Sequence, residues 1–134
     1  MTNPSTAVLQ TKQRADHADY IAPDGSEIRL LAEGRGGGLC HCTLPKESVS
    51  QAVAHQIVEE IWYCICGHGQ VWRKLGDAEI TVDVNSGSSL TIPKGAVFQF
   101  RNTGDAPLCF VIASMPPWPG PKEAISQPGK WEVA

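Results

Sequence analysis

Turn-forming residues interrupt this chain too often for long helices. Pro23-Asp24-Gly25, Gly34-Arg35-Gly36-Gly37-Gly38, Gly67-His68-Gly69, Gly76-Asp77, Asn85-Ser86-Gly87 and Pro93-Lys94-Gly95 all separate short apolar runs. Glycine supplies positive φ, and proline fixes φ and removes a donor, so each cluster reads as a turn. The runs between them read as strands over residues 27–32, 39–44, 49–55, 61–66, 70–75, 79–84, 90–92, 97–101 and 108–115. Strands at this spacing in a chain of 134 residues specify a single all-β domain, a sandwich or barrel.

The flanks differ from this pattern. Residues 1–22 form a polar arm with no clear period, residues 23–115 form the barrel, and residues 116–134 form a Pro-rich tail. Pro116, Pro117, Pro119 and Pro121 deny that tail the donors a central strand needs, so it should run extended and pack on the barrel. Trp118 should seek a groove there, and Trp131 has the same tendency.

Charge and cysteine content narrow the function classes. The net charge is −3 and no basic stripe is present, which argues against a nucleic-acid partner. No apolar run approaches the ~18 residues of a membrane span, and the polar start lacks a signal-peptide core. The five cysteines are an odd number, which suggests reduced thiols and a cytoplasmic location.

The central region carries a paired motif. His55 is followed by Glu60 and Gly67, and Gly87 by Pro93, Gly95, Phe98 and Asn102. This spacing resembles the two signature motifs of the cupin family, with the strand pattern extending the likeness over about residues 26–115. The resemblance implies a cupin double-stranded β-helix, a jelly-roll barrel with a small-molecule site inside. It also implies four metal-ligand positions: a His-x-His pair, a Glu and a last His. Here Val53 stands at the first of them and Phe98 at the last, leaving His55 and Glu60 as donors.

Strand alternation suggests which side chains share the interior. With His55 inward, Val53 and Gln51 follow, and with Glu60 inward, Trp62 and Cys64 follow. Phe98 brings Phe100 to the same face, and His41 faces away from Cys40 and Cys42, inward or outward. The candidate site is therefore His55 and Glu60 as catalytic groups, with Gln51, Val53, Trp62, Cys64, Phe98, Phe100 and His41 as substrate contacts. Glu59 should face solvent, and His68 and His17 read as solvated residues of a turn and of the arm.

No metal or other cofactor is expected, because a catalytic metal needs about three protein ligands. A divalent transition metal on His55 and Glu60 would require a third donor from Gln51, His41 or Cys64. Cys40-x-Cys42 and Cys64-x-Cys66 would form a four-thiolate zinc site only on neighbouring strands. The plainer expectation for such cysteines is a small buried hydrophobe.

Burial beside aromatic rings should raise the Glu60 pKa and lower that of His55, whereas close approach would favour the ion pair. Such a pair suits proton transfer. Three readings follow: a metal-independent lyase or isomerase, a metal-dependent oxygenase or lyase with an unusual ligand set, and a non-catalytic small-molecule binding module. Exposed sheet edges invite pairing, so a homodimer is expected.

Overall fold

Two antiparallel sheets face each other across an aromatic core. The computed structural model describes residues 9–134, so residues 1–8 of the predicted arm lie outside the described residues. The strands are β1 (Tyr20–Ile21), β2 (Glu27–Glu33), β3 (Gly38–Leu44), β4 (Val53–His55), β5 (Glu59–Cys66), β6 (His68–Leu75), β7 (Ala78–Asn85), β8 (Ser89–Ile92), β9 (Val97–Asn102), β10 (Leu108–Met115) and β11 (Ala124–Ser126). Among the described residues the one helical element is a 3₁₀ turn, Pro121–Glu123. No helix there is long and apolar enough to cross a membrane.

One sheet has the order β1-β2-β3-β10-β5-β8 and the other β11-β4-β9-β6-β7. Apart from β1-β2-β3 and the β6–β7 hairpin, paired strands are distant in sequence, as in a jelly roll, and the all-β barrel expected from the turn spacing is the observed architecture. Period-two alternation decides what each strand buries. Along β5, Glu60, Trp62 and Cys64 are buried, while Glu59, Ile61, Tyr63 and Ile65 are exposed. The core stacks Trp62 edge-on against Phe98 and Phe100, with centroids 5.4 and 5.0 Å away. Phe110 closes the group 4.9 Å from Trp62.

Two local expectations are corrected. The strand expected over 49–55 is regular only from Val53 to His55, with Val49 forming an isolated bridge to Arg101. The Ser50 hydroxyl oxygen accepts the Phe100 N–H at 3.0 Å, so a side chain replaces a ladder carbonyl and the strand starts late. His68, expected in a turn, is the first residue of β6 and pairs with Asn85. The turn is confined to Gly67, and Gly69 lies within the strand, where any Cβ would collide with Leu108 and the Arg101 carbonyl.

Both flanks join the sheets. The arm adds β1 beside β2, and the tail adds β11 at the edge of the second sheet, beside β4. Farther along, the Gln99 amide accepts the N–H groups of Lys130 and Trp131 at 2.9 Å each. It donates to the Ser50 and Trp131 carbonyls at 2.9 and 2.8 Å. Arg101 stacks over the Trp131 ring, 4.4 Å from its centroid.

Candidate active site

The short strand β4 and the turn after β8 position His55. Gly95, at φ 82° where a side chain would be strained, donates its N–H to the His55 carbonyl at 2.9 Å. Opposite His55 in β11 stands Ala124, small enough to leave the imidazole room. The ring sits edge-on between Phe98 and Trp118, with centroids 5.1 and 5.0 Å away. Trp118 is the tail residue expected to seek a groove, and the groove is the site itself.

Glu60 comes from β5. Its Oε1 accepts the Trp62 indole N–H at 3.0 Å, and its Oε2 accepts the hydroxyl of Ser114 on β10 at 2.7 Å. Ser114 lies directly across the β5–β10 ladder. His55 Nδ1 is 4.0 Å from Glu60 Oε1 and is a buried nitrogen without a hydrogen-bond partner among the described residues. His55 is only 5% exposed and Glu60 7%, so the cost of removing charge from water governs both groups.

Burial holds the imidazole down at about 4, against a smaller opposing pull from Glu123. Burial pushes the Glu60 carboxyl up to about 7, although the Ser114 and Trp62 hydrogen bonds favour its ionised form. The 4.0 Å approach is therefore not an ion pair at neutral pH, since the imidazole is uncharged. Of the two opposing effects weighed from sequence, burial outweighs mutual attraction.

A cavity of about 770 Å³ opens beside this pair, within the usual range for small-molecule sites. Val53, His55, Glu60, Trp62 and Phe98 all line it. Four other predicted contacts do not. Gln51 precedes β4 with its side chain exposed, because β4 begins only at Val53. Phe100 and Cys64 are fully buried and face the interior one step farther from the cavity, behind Trp62. His41 faces the opposite side of β3 from Cys42, paired in register with Arg29. Burial, then Arg14 and Arg29, lower its pKa.

The structure adds residues that the motif did not indicate. Tyr20, Asp24, Cys40, Cys42, Ser114 and Trp118 line the same cavity. Asp24 Oδ1 accepts the N–H and hydroxyl of Ser26 at 3.0 and 2.6 Å, and burial raises its pKa against those bonds. Burial first, then Cys40 and Glu60, push the Tyr20 phenol up to about 12. No motif marks Ser114; its role depends on the register of β10 with β5. Glu123, in the tail, accepts the N–H groups of Ile57 and Val58 at 2.7 Å each and fixes the loop between His55 and Glu60.

The residues present do not fit a transition-metal centre of the expected kind. Val53 and Phe98 are cross-strand partners, 2% and 1% exposed, and put carbon where two of the four family positions would put donors. No three His, Cys, Asp or Glu side chains gather in metal-holding geometry among the described residues. The four-thiolate site fails on topology, because β10 lies between β3 and β5 and separates the two cysteine pairs. All five cysteines are free thiols.

The comparisons with known proteins agree with this architecture. The family model described as "Cupin domain" matches residues 40–114. The protein MJ1618 of Methanocaldococcus jannaschii is 31% identical over 104 residues, which cover 74% of this chain and 80% of that one. The crystal structure of BH2720 from Bacillus halodurans superimposes with a TM-score of 0.62 at 20% identity, covering 75% of this chain and 74% of that one. The capsular polysaccharide assembling protein CapF of Staphylococcus aureus gives a TM-score of 0.70 at 13% identity, covering 87% of this chain but 34% of CapF. Likeness to the two solved structures extends to the fold.

Proposed function

The chain belongs to the cupin domain family, and within it we propose a metal-independent enzyme of lyase or isomerase type. It acts on a small molecule held in the cavity beside Trp62, Phe98 and Trp118. The observation that carries this reading is a buried His55–Glu60 pair with its usual order of ionisation reversed, the imidazole at about 4 and the carboxyl at about 7. A carboxyl that titrates near neutrality is matched to proton transfer at physiological pH. Glu60 in its ionised form accepts a proton from the substrate. His55, uncharged and with a free Nδ1, orients the substrate or relays the proton.

The positions of the donors support assigning the base role to Glu60. Trp62 and Ser114 each hold one carboxylate oxygen, which fixes the group without a cation and leaves further lone pairs on both oxygens. Aromatic walls exclude water from the pair and accept an apolar or ring-bearing substrate.

A second reading, a non-catalytic binding barrel, is favoured by the same two hydrogen bonds, which already satisfy Glu60 structurally. Turnover separates the two. His55→Ala and Glu60→Gln should each lower the rate on a screened substrate by about 10²–10⁴ while the barrel stays folded. His68→Ala, on the exposed start of β6, should leave it unchanged. Wild-type rates in Glu60→Gln would remove Glu60 from the mechanism and favour the binding module.

A further inference from the structure

We infer that the cavity selects a small amine-bearing cation over an anion of the same shape, because Asp24 and Glu60 both line it and no arginine does. This inference rests on the small-molecule site proposed above and names its ligand class.

The two carboxyl groups reach the cavity from separate elements, Asp24 from the turn before β2 and Glu60 from β5. They are close enough for the Asp24 charge to oppose ionisation of Glu60. Neither is paired with a lysine or arginine among the described residues, where the ion contacts are Arg29–Glu27 and His55–Glu60. The other ionisable groups on the inner wall are His55, Tyr20, Cys40 and Cys42. The last three are acids, and Glu60 and Asp24 raise the pKa of Tyr20 and Cys40 further. Lys12 and Glu33 lie at the exposed rim, and Glu123 stands behind His55.

A second, independent observation indicates a ligand. His55 Nδ1 is buried in the wall with no partner, in a residue 5% exposed. Leaving such a nitrogen unsatisfied costs free energy that a donor on a ligand would recover. An ammonium N–H can donate to Glu60 Oε1 or to an unprotonated His55 Nδ1, which are 4.0 Å apart. Asp24, held at Oδ1 by the N–H and hydroxyl of Ser26, is a second acceptor in the same wall. Tyr20, Trp62 and Trp118 line the same space, and aromatic walls suit a cation attached to an apolar body. A carboxylate or phosphate in that space would meet two carboxyl groups and no buried cation, an uncompensated cost.

Three probes of similar size and three charges test this on the whole protein: benzylamine, benzyl alcohol and benzoate, by calorimetry at pH 8. Benzylamine should bind at least about tenfold more tightly than benzyl alcohol, and benzoate more weakly than both. The preference should shrink at pH 5, where Glu60, titrating at about 7, is protonated. Asp24→Asn and Glu60→Gln should each reduce it, with thermal unfolding of each variant as the folding check. Should Asp24→Asn fail to fold, Glu60→Gln and the wild-type pH series decide. Equal binding of amine and alcohol, a preference for benzoate, or binding of none of the three would overturn the inference. Amine selectivity without turnover would keep it and sink the catalytic reading; turnover of an anionic substrate would do the reverse.

Discussion

Val53 and Phe98 are directly opposite one another across the β4–β9 ladder, both almost fully buried. The two missing donors are thus a single packed pair. Restoring one donor would leave a polar group facing a hydrocarbon, so the loss of one position relaxes the need for the other. His55 and Glu60 remain beside this pair as an uncharged imidazole and a carboxyl near its midpoint.

Protein purified without added metal should carry well under one equivalent of any transition metal. Elemental analysis after dialysis checks this, and stoichiometric iron, manganese, zinc, nickel or copper would overturn it. The reason is the donor count at Val53 and Phe98, where neither side chain offers a lone pair.

Activity should rise with pH through about 7, as Glu60 loses its proton. Ser114→Ala should move that midpoint upward, because the Ser114 hydroxyl favours the ionised carboxylate. A rate–pH profile of both proteins is the measurement, and a midpoint unmoved or shifted downward would contradict the assignment.

Stability should respond to pH in opposite senses at the two groups. Glu60 is raised from 4.5 to about 7, so its contribution is full below 4.5 and is lost as pH rises through 7. His55 is lowered from 6.5 to about 4, so its contribution is full above 6.5 and is lost as pH falls through 4. Between those limits the slopes largely cancel in the wild type. Glu60→Gln should unmask stability that increases with pH, and His55→Gln stability that decreases with it, each by up to about 3 kcal/mol. Denaturant titrations across pH 4–8 test both signs.

Gln99→Leu should destabilise the fold by about 1–3 kcal/mol and free the last residues for proteolysis. One buried amide satisfies four backbone groups of Ser50, Lys130 and Trp131, and leucine would leave them unpaired. Unchanged stability with an unchanged proteolysis pattern would show that Trp131 stacking and the Val49–Ala134 backbone pair hold the tail without the amide.

The protein should be a homodimer at micromolar concentration, as light scattering would register. Ile61, Tyr63 and Ile65 leave the outer face of β5 apolar, at 49%, 50% and 38% exposure. Tyr63→Glu should shift the mass towards the monomer if that face is the contact. A wild-type monomer would refute the assembly.

Turn chemistry and alternation made the barrel legible, because Gly, Pro and period-two burial act over a few residues. The family resemblance brought Val53, His55, Glu60 and Phe98 to one interior, and alternation along β5 added Trp62. Alternation misplaced Gln51 and turn chemistry misplaced His68, where a serine hydroxyl and a single glycine override the pattern. What the chain alone left open depends on long-range register. Ser114 meets Glu60 only because β10 pairs with β5, and Trp118 reaches His55 only because the tail returns to β4. Asp24 shares their cavity from a turn more than 30 residues away in the chain. The sequence supplies the acid and the base, but burial, which tertiary packing alone decides, sets their charge.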